Sequence, residues 1–128
     1  MLFRSGVPSE LFYAERQNPN AKIINLSLRT KTINHIKTGK LYEVILVDRH
    51  GFITEGSRSN VFFIKGDRVY TTPVSAVLPG ITRLKVFEMC KKHGIPLIET
   101  PIIADEIAEF EAAFFTGTSP SEIGRAHV

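Results

Sequence analysis

The chain has 128 residues, 43% of them hydrophobic, which suffices for one globular domain with a single core and is short for two. Sixteen basic against thirteen acidic residues give a formal charge of +3, but the two signs are interleaved, and without a basic stripe nucleic-acid binding is not indicated. No apolar run approaches the ~18 residues of a membrane span, the first residues lack a signal-peptide plan, and the lone Cys90 fits a reduced, cytoplasmic setting.

In chain order, residues 1–21 carry Gly6, Pro8 and Pro19 with little periodicity and read as an extended inter-domain lead-in, with a short strand near Leu11 to Tyr13. From Ser27 to Lys40 the spacing of Leu28, Ile33 and Ile36 predicts a helix, with Gly39 as its stop. The period then changes to that of strands. Glu43–Asp48, Phe52–Thr54, Asn60–Lys65 and Arg68–Thr71 are rich in β-branched and aromatic residues and are divided by turn residues, which predicts an antiparallel meander. Thr82 to His93 returns to helical spacing and ends at Gly94-Ile-Pro96. A strand at Leu97–Glu99, a short helix near Ala104–Ala108 and a strand at Ala112–Phe115 complete an α+β layout.

Four polar positions fall at the edges of predicted elements: Lys22, Glu55, Thr82 and Thr118. Lys22 has apolar neighbours on its C-terminal side that can desolvate an amine and favour nucleophilic use. From local context alone, a snorkelling surface lysine is the plainer reading. Glu55 ends a strand and opens a turn of small polar residues, Glu55-Gly-Ser-Arg-Ser-Asn60, which an ordinary solvated turn also explains. Leu78-Pro-Gly-Ile-Thr82 runs into a helix, so the Ile81 and Thr82 amides and the Thr82 hydroxyl lie at a helix N-terminus, a natural phosphate seat, although most Thr-capped helices bind nothing. Thr116-Gly-Thr-Ser119 follows a strand and is a second anion cradle or a plain polar turn. The four histidines lack metal-ligand spacing, and no hydrolase elbow or phosphate-binding P-loop is present.

Taken together, these positions fall within blocks that resemble the class IV aminotransferases, the fold-type IV pyridoxal-phosphate enzymes. That family includes branched-chain and D-amino-acid aminotransferases and aminodeoxychorismate lyase. The blocks are Ala21-Lys-Ile-Ile-Asn25, Tyr42-Glu-Val-Ile-Leu46, Gly51-Phe-Ile-Thr-Glu-Gly-Ser-Arg-Ser-Asn-Val-Phe62, Tyr70-Thr-Thr-Pro73, Leu78-Pro-Gly-Ile-Thr-Arg83 and Phe115-Thr-Gly-Thr-Ser119. The resemblance implies an α+β fold, the cofactor-binding C-terminal domain of the D-amino-acid-aminotransferase-like architecture, truncated, with pyridoxal 5'-phosphate as cofactor. It implies that Lys22 bonds the cofactor aldehyde and shuttles a proton, and that Glu55 faces the pyridine nitrogen. Ser59 and Asn60 would support the polar edge of the cofactor, Leu78 would lie against the ring, and Ile81, Thr82 and Thr118 would hold the phosphate. The implied reaction is transamination between an amino acid and a 2-oxo acid in a homodimer. A lyase of the aminodeoxychorismate type and a non-catalytic fragment are the alternatives.

Departures from the family pattern qualify that expectation. The family's smaller N-terminal domain, which supplies an arginine to the phosphate, has no counterpart in Met1–Arg16, so the isolated chain is expected to be an inactive fragment. Ile23-Ile-Asn-Leu26 stands where branched-chain enzymes carry a Gly-Gly-Asn-Tyr type segment, which leans away from that subgroup. Residues 22–122 therefore read as a partial cofactor domain. Ile123-Gly-Arg-Ala-His-Val128 matches the translation of a common sequencing adapter and is expected to have no fold of its own.

Overall fold

The computed structural model describes residues 7–14, 26–73, 77, 80–117 and 124–127. Among these, nine strands and two α-helices follow one another as β1 (Val7–Tyr13), α1 (Leu26–Gly39), β2 (Glu43–Val47), β3 (Phe52–Gly56), β4 (Asn60–Lys65), β5 (Arg68–Thr71), α2 (Ile81–Lys92), β6 (Leu97–Glu99), β7 (Ile102–Ile103), β8 (Ala112–Thr116) and β9 (Gly124–His127). A short 3-10 helix, Ala104–Glu109, leads into β8. The strands lie in the order β6-β5-β4-β8-β9-β1-β2-β3-β7.

The predicted meander is only half realised. The β2–β3 and β4–β5 pairs are antiparallel hairpins, but no ladder joins β3 to β4. β4 instead pairs along its length with β8, from Asn60 opposite Thr116 to Ile64 opposite Ala112. The three-residue link between Gly56 and Asn60 closes through the Gly56 amide and the Ser59 carbonyl and spends its polar groups on Glu43, without extending a ladder from β3 to β4.

Residues read as a lead-in place β1 inside the sheet, parallel to β2 from Ser9 opposite Glu43 to Tyr13 opposite Val47. The short strand expected near Leu11 to Tyr13 is the end of β1; its beginning, Val7 to Glu10, escapes periodicity because Pro8 and the charged Glu10 interrupt the apolar alternation. Gly124–His127, expected to have no fold, form β9 between β8 and β1. Strand pairing uses main-chain groups that every non-proline residue carries, so this pairing reflects an open sheet position more than side-chain identity.

The sheet curls on itself. Ile45, Val47 and Ile53 from β2 and β3 pack in one cluster with Val61 and Phe63 from β4 and Ala113 and Phe115 from β8, although four strands separate β3 from β4. The outward face of β4, β5 and β8 buries a second cluster: Phe62 stacks on Phe114 at 5.1 Å, and with Val69 it meets Val86, Phe87 and Cys90 of α2. This explains why β4 reads as a continuous apolar run, with one face in the core and the other under a helix.

Helix ends follow local chemistry. After α2, Gly94 takes φ +70°, and the amides of Gly94 and Ile95 return to the Lys91 and Cys90 carbonyls, as a glycine stop requires. At the end of α1 the left-handed residue is Lys40, with φ 56°, one position beyond the predicted Gly39. The Leu41 amide returns to Ile36, and Leu41 lies against Gly39, where a Cβ would sit 3.2 Å from its Cγ.

Candidate functional site

The loop that leads into β4, the start of α2 and the end of β8 meet one another. β3 carries Glu55, 4% exposed, at its last position but one, and β4 begins with Asn60, 6% exposed. Both have interaction partners within the protein. Polar groups so deeply buried cost stability unless paired, so their placement is specific.

The start of α2 closes on Asn60. Gly80 is its N-cap, with φ −83° and ψ 155°, and a Cβ built there would lie 2.9 Å from Asn60 Oδ1, so the helix start abuts that side chain. Among the described residues no side chain caps the helix, and no acidic residue occupies its first turn, so the positive end of the dipole favours an anion there. Ile81 turns its side chain outward at 67% exposure, so its contribution is its amide. The Thr82 hydroxyl donates to the Gly117 carbonyl at 3.1 Å and ties α2 to the end of β8. Beside it, Thr116 is fully buried, and its hydroxyl has no hydrogen-bond partner among the described residues. An uncapped twelve-residue helix next to an orphaned buried hydroxyl is a donor set that suits a phosphate. The residues present therefore fit the phosphate end of a phosphorylated cofactor.

Of the sequence-predicted site residues, Asn60 lies against the start of α2 and Thr82 ties that helix to the end of β8, while Glu55 is buried near the end of β3, five residues before Asn60. Ser59 lies in the same loop, but its hydroxyl donates to Glu43 Oε2 at 2.8 Å, so it faces inward to a carboxylate. Lys22, Leu78 and Thr118 lie outside the described residues.

Sequence reasoning assigned no role to Glu43, Gly80 or Arg83, which the structure places in or behind this region, and singled out Thr116 only as part of the Thr116-Gly-Thr-Ser119 cradle. One signal was available for Glu43: a carboxylate opening an unbroken apolar strand, Glu43-Val-Ile-Leu-Val47. Arg83 is 3% exposed in the first turn of α2, where Nη2 donates to the Thr72 carbonyl at 2.9 Å and to Glu99 Oε2 at 3.1 Å. A shallow depression lined by Phe87, Cys90, Ile95 and Leu97 lies toward the other end of α2, away from these groups.

Residues 4–124 match the family model for amino-transferase class IV. The chain is 36% identical over 104 residues to a branched-chain-amino-acid aminotransferase of Pseudomonas aeruginosa, covering 81% of this chain and 33% of that one. It is 34% identical over 103 residues to a D-alanine aminotransferase of Bacillus licheniformis, covering 80% and 36%. A crystal structure of a putative branched-chain amino acid aminotransferase from Thermotoga maritima superposes with a TM-score of 0.84 at 30% identity, over 95% of this chain and 46% of that one. The chain spans about a third of the length of these two curated relatives. With the family model matched along nearly its whole length, this chain belongs to the class IV amino-transferase family.

Proposed function

We propose that this chain is the cofactor wall of a longer pyridoxal-phosphate-dependent aminotransferase that moves an amino group between an amino acid and a 2-oxo acid. The observation that carries the reading is the buried Asn60 set against an uncapped helix start beside the orphaned Thr116 hydroxyl, with Glu55 buried at the end of the preceding strand. When bound, pyridoxal phosphate supplies an electron sink for the electrons released at the substrate α-carbon. The chain's residues hold and tune it. The Ile81 and Thr82 amides, with Thr118, take the phosphate at the positive end of α2. Glu55 holds a proton on the ring nitrogen, Leu78 covers the ring face, and Ser59 and Asn60 border its polar edge. The Lys22 amine anchors the cofactor and carries the proton at Nζ.

The proposal extends to a homodimer in the intact protein, to residues 22–122 as part of the cofactor domain, and to 123–128 as adapter-derived. It also places the protein in the cytoplasm, supported by Cys90 as a buried free thiol.

The test uses the full-length protein that carries this segment. Borohydride reduction in the presence of pyridoxal phosphate, followed by peptide mapping, should place the label on Lys22. A panel of L- and D-amino acids with 2-oxoglutarate should show turnover, and Glu55→Gln should keep the cofactor while losing on the order of 10²-fold in rate, as for removal of one preorganised electrostatic group. A label on another lysine, or unaltered turnover in Glu55→Gln, overturns these assignments.

A further inference from the structure

We infer that Glu43 is a positioning residue for this site: its buried carboxylate is the anchor around which the loop from Glu55 to Asn60 is built, and so it fixes where those two residues stand. The inference rests on the reading of Glu55 and Asn60 as cofactor contacts.

Glu43 is 1% exposed at the head of β2, where an unpaired carboxylate would be costly. It is densely paired. Oε1 accepts from the Val44 amide at 2.9 Å, the Ser57 amide at 3.1 Å and the Ser57 hydroxyl, while Oε2 accepts from the Arg58 amide at 3.3 Å and the Ser59 hydroxyl at 2.8 Å. Apart from Val44, every donor belongs to three consecutive residues of the loop. The loop closes on itself through the Gly56 amide and the Ser59 carbonyl at 2.8 Å. A Cβ on Gly56 would lie 2.3 Å from Ser59 Oγ and 2.8 Å from Glu43 Oε2, so only glycine lets the chain wrap this closely. On its far side the loop meets β8: a Cβ on Gly117 would lie 3.1 Å from the Arg58 carbonyl.

The consequence follows from the sheet order. Glu55 and Asn60 sit on β3 and β4, which share no ladder and are separated by four strands. Main-chain pairing therefore does not fix one against the other. The loop does, and Glu43 holds the loop. Five donors aimed at two oxygens require an acceptor-only group, which a glutamine amide is not.

The experiment compares Glu43→Gln, Ser57→Ala and Glu55→Gln in the full-length holoenzyme and its apo form. The readouts are pyridoxal phosphate affinity by titration, the absorption spectrum of the bound cofactor, and amide hydrogen exchange. Glu43→Gln should speed exchange at Ser57 and Arg58, leave the β4–β5 amides protected, weaken cofactor binding on the order of tenfold and alter the spectrum. Ser57→Ala, which removes one small partner of Glu43, should weaken binding roughly threefold and be non-additive with Glu43→Gln. It carries the test if Glu43→Gln fails to fold. Freed loop amides with unchanged affinity and spectrum overturn the inference, as does exchange that rises throughout the sheet. Glu55→Gln separates the two levels. If it alters the spectrum and the Glu43 and Ser57 variants do not, the positioning role alone fails. If it leaves the spectrum untouched, the site reading fails and the inference falls with it.

Discussion

Replacing Arg83 by methionine removes the guanidinium that clasps the first turn of α2 to the sheet while keeping most of the side-chain bulk. Three attractions are lost and one cost is relieved. The Thr72 carbonyl, at 3% residue exposure, loses its donor at 2.9 Å, a penalty of about 1–3 kcal/mol for a buried acceptor left without a partner. The Glu99 pair at 3.1 Å counts for little, about 0.5 kcal/mol, because the Glu99 side chain is 40% exposed and water screens it. Stacking of the guanidinium 4.6 Å above the Phe87 ring adds about 1 kcal/mol. Against these, Arg83 Nε is buried without a partner, and its removal returns about 1–3 kcal/mol. The balance is a net loss of about 1–2 kcal/mol, whereas Arg83→Ala adds lost packing and should cost about 3 kcal/mol or more. The effect should also reach the site, since this clasp orients the helix start against Asn60. Urea unfolding of the apo protein gives the stability, and paired titrations with pyridoxal phosphate and pyridoxal isolate the phosphate contribution. A methionine variant as stable as the parent, with the same preference for the phosphorylated form, would refute both the balance and the orienting role.

Gly80→Ala is sterically and not conformationally costly, because φ −83° suits any residue while the new Cβ meets Asn60 Oδ1 at 2.9 Å; it should weaken pyridoxal phosphate binding about tenfold and cost about 1–3 kcal/mol in denaturant unfolding. Thr116→Val removes a fully buried, unpartnered hydroxyl, so the apo protein should gain up to about 1 kcal/mol while cofactor affinity falls. Unchanged affinity would show that the hydroxyl faces no ligand. Burial pushes the Cys90 thiol above its usual range. Its neutral form is therefore favoured in the folded state: this contribution to stability is complete below the unfolded-state value of about 8.5 and is lost as pH rises above it. Melting temperatures from pH 7 to 10 should fall more steeply for the parent than for Cys90→Val, and equal slopes would exclude the linkage.

Much of the site was legible in the chain because its blocks carry local chemistry. Thr-Glu-Gly-Ser and Leu-Pro-Gly-Ile-Thr-Arg mark a strand end and a helix start whatever surrounds them, and the structure sets Glu55, Asn60 and Thr82 at those element ends. The helices over 26–39 and 81–92 and the strands of both hairpins follow from periodicity and from glycine stops, which act within a few residues.

Pairing partners are another matter, since backbone groups are alike at every position and a strand's neighbours are set by what else must be covered. Sequence alone determined the family pattern, the α+β class and the approximate places of the two helices and the hairpin strands. Only the tertiary structure decided that β1 lies beside β2, that β3 and β4 part company across a curled sheet, and that β9 fills the space between β8 and β1. It also decided the meaning of two charges. Glu43 and Arg83 look like ordinary surface residues until folding buries them at 1% and 3% exposure, because the donors and acceptors that compensate them come from residues up to sixteen positions away.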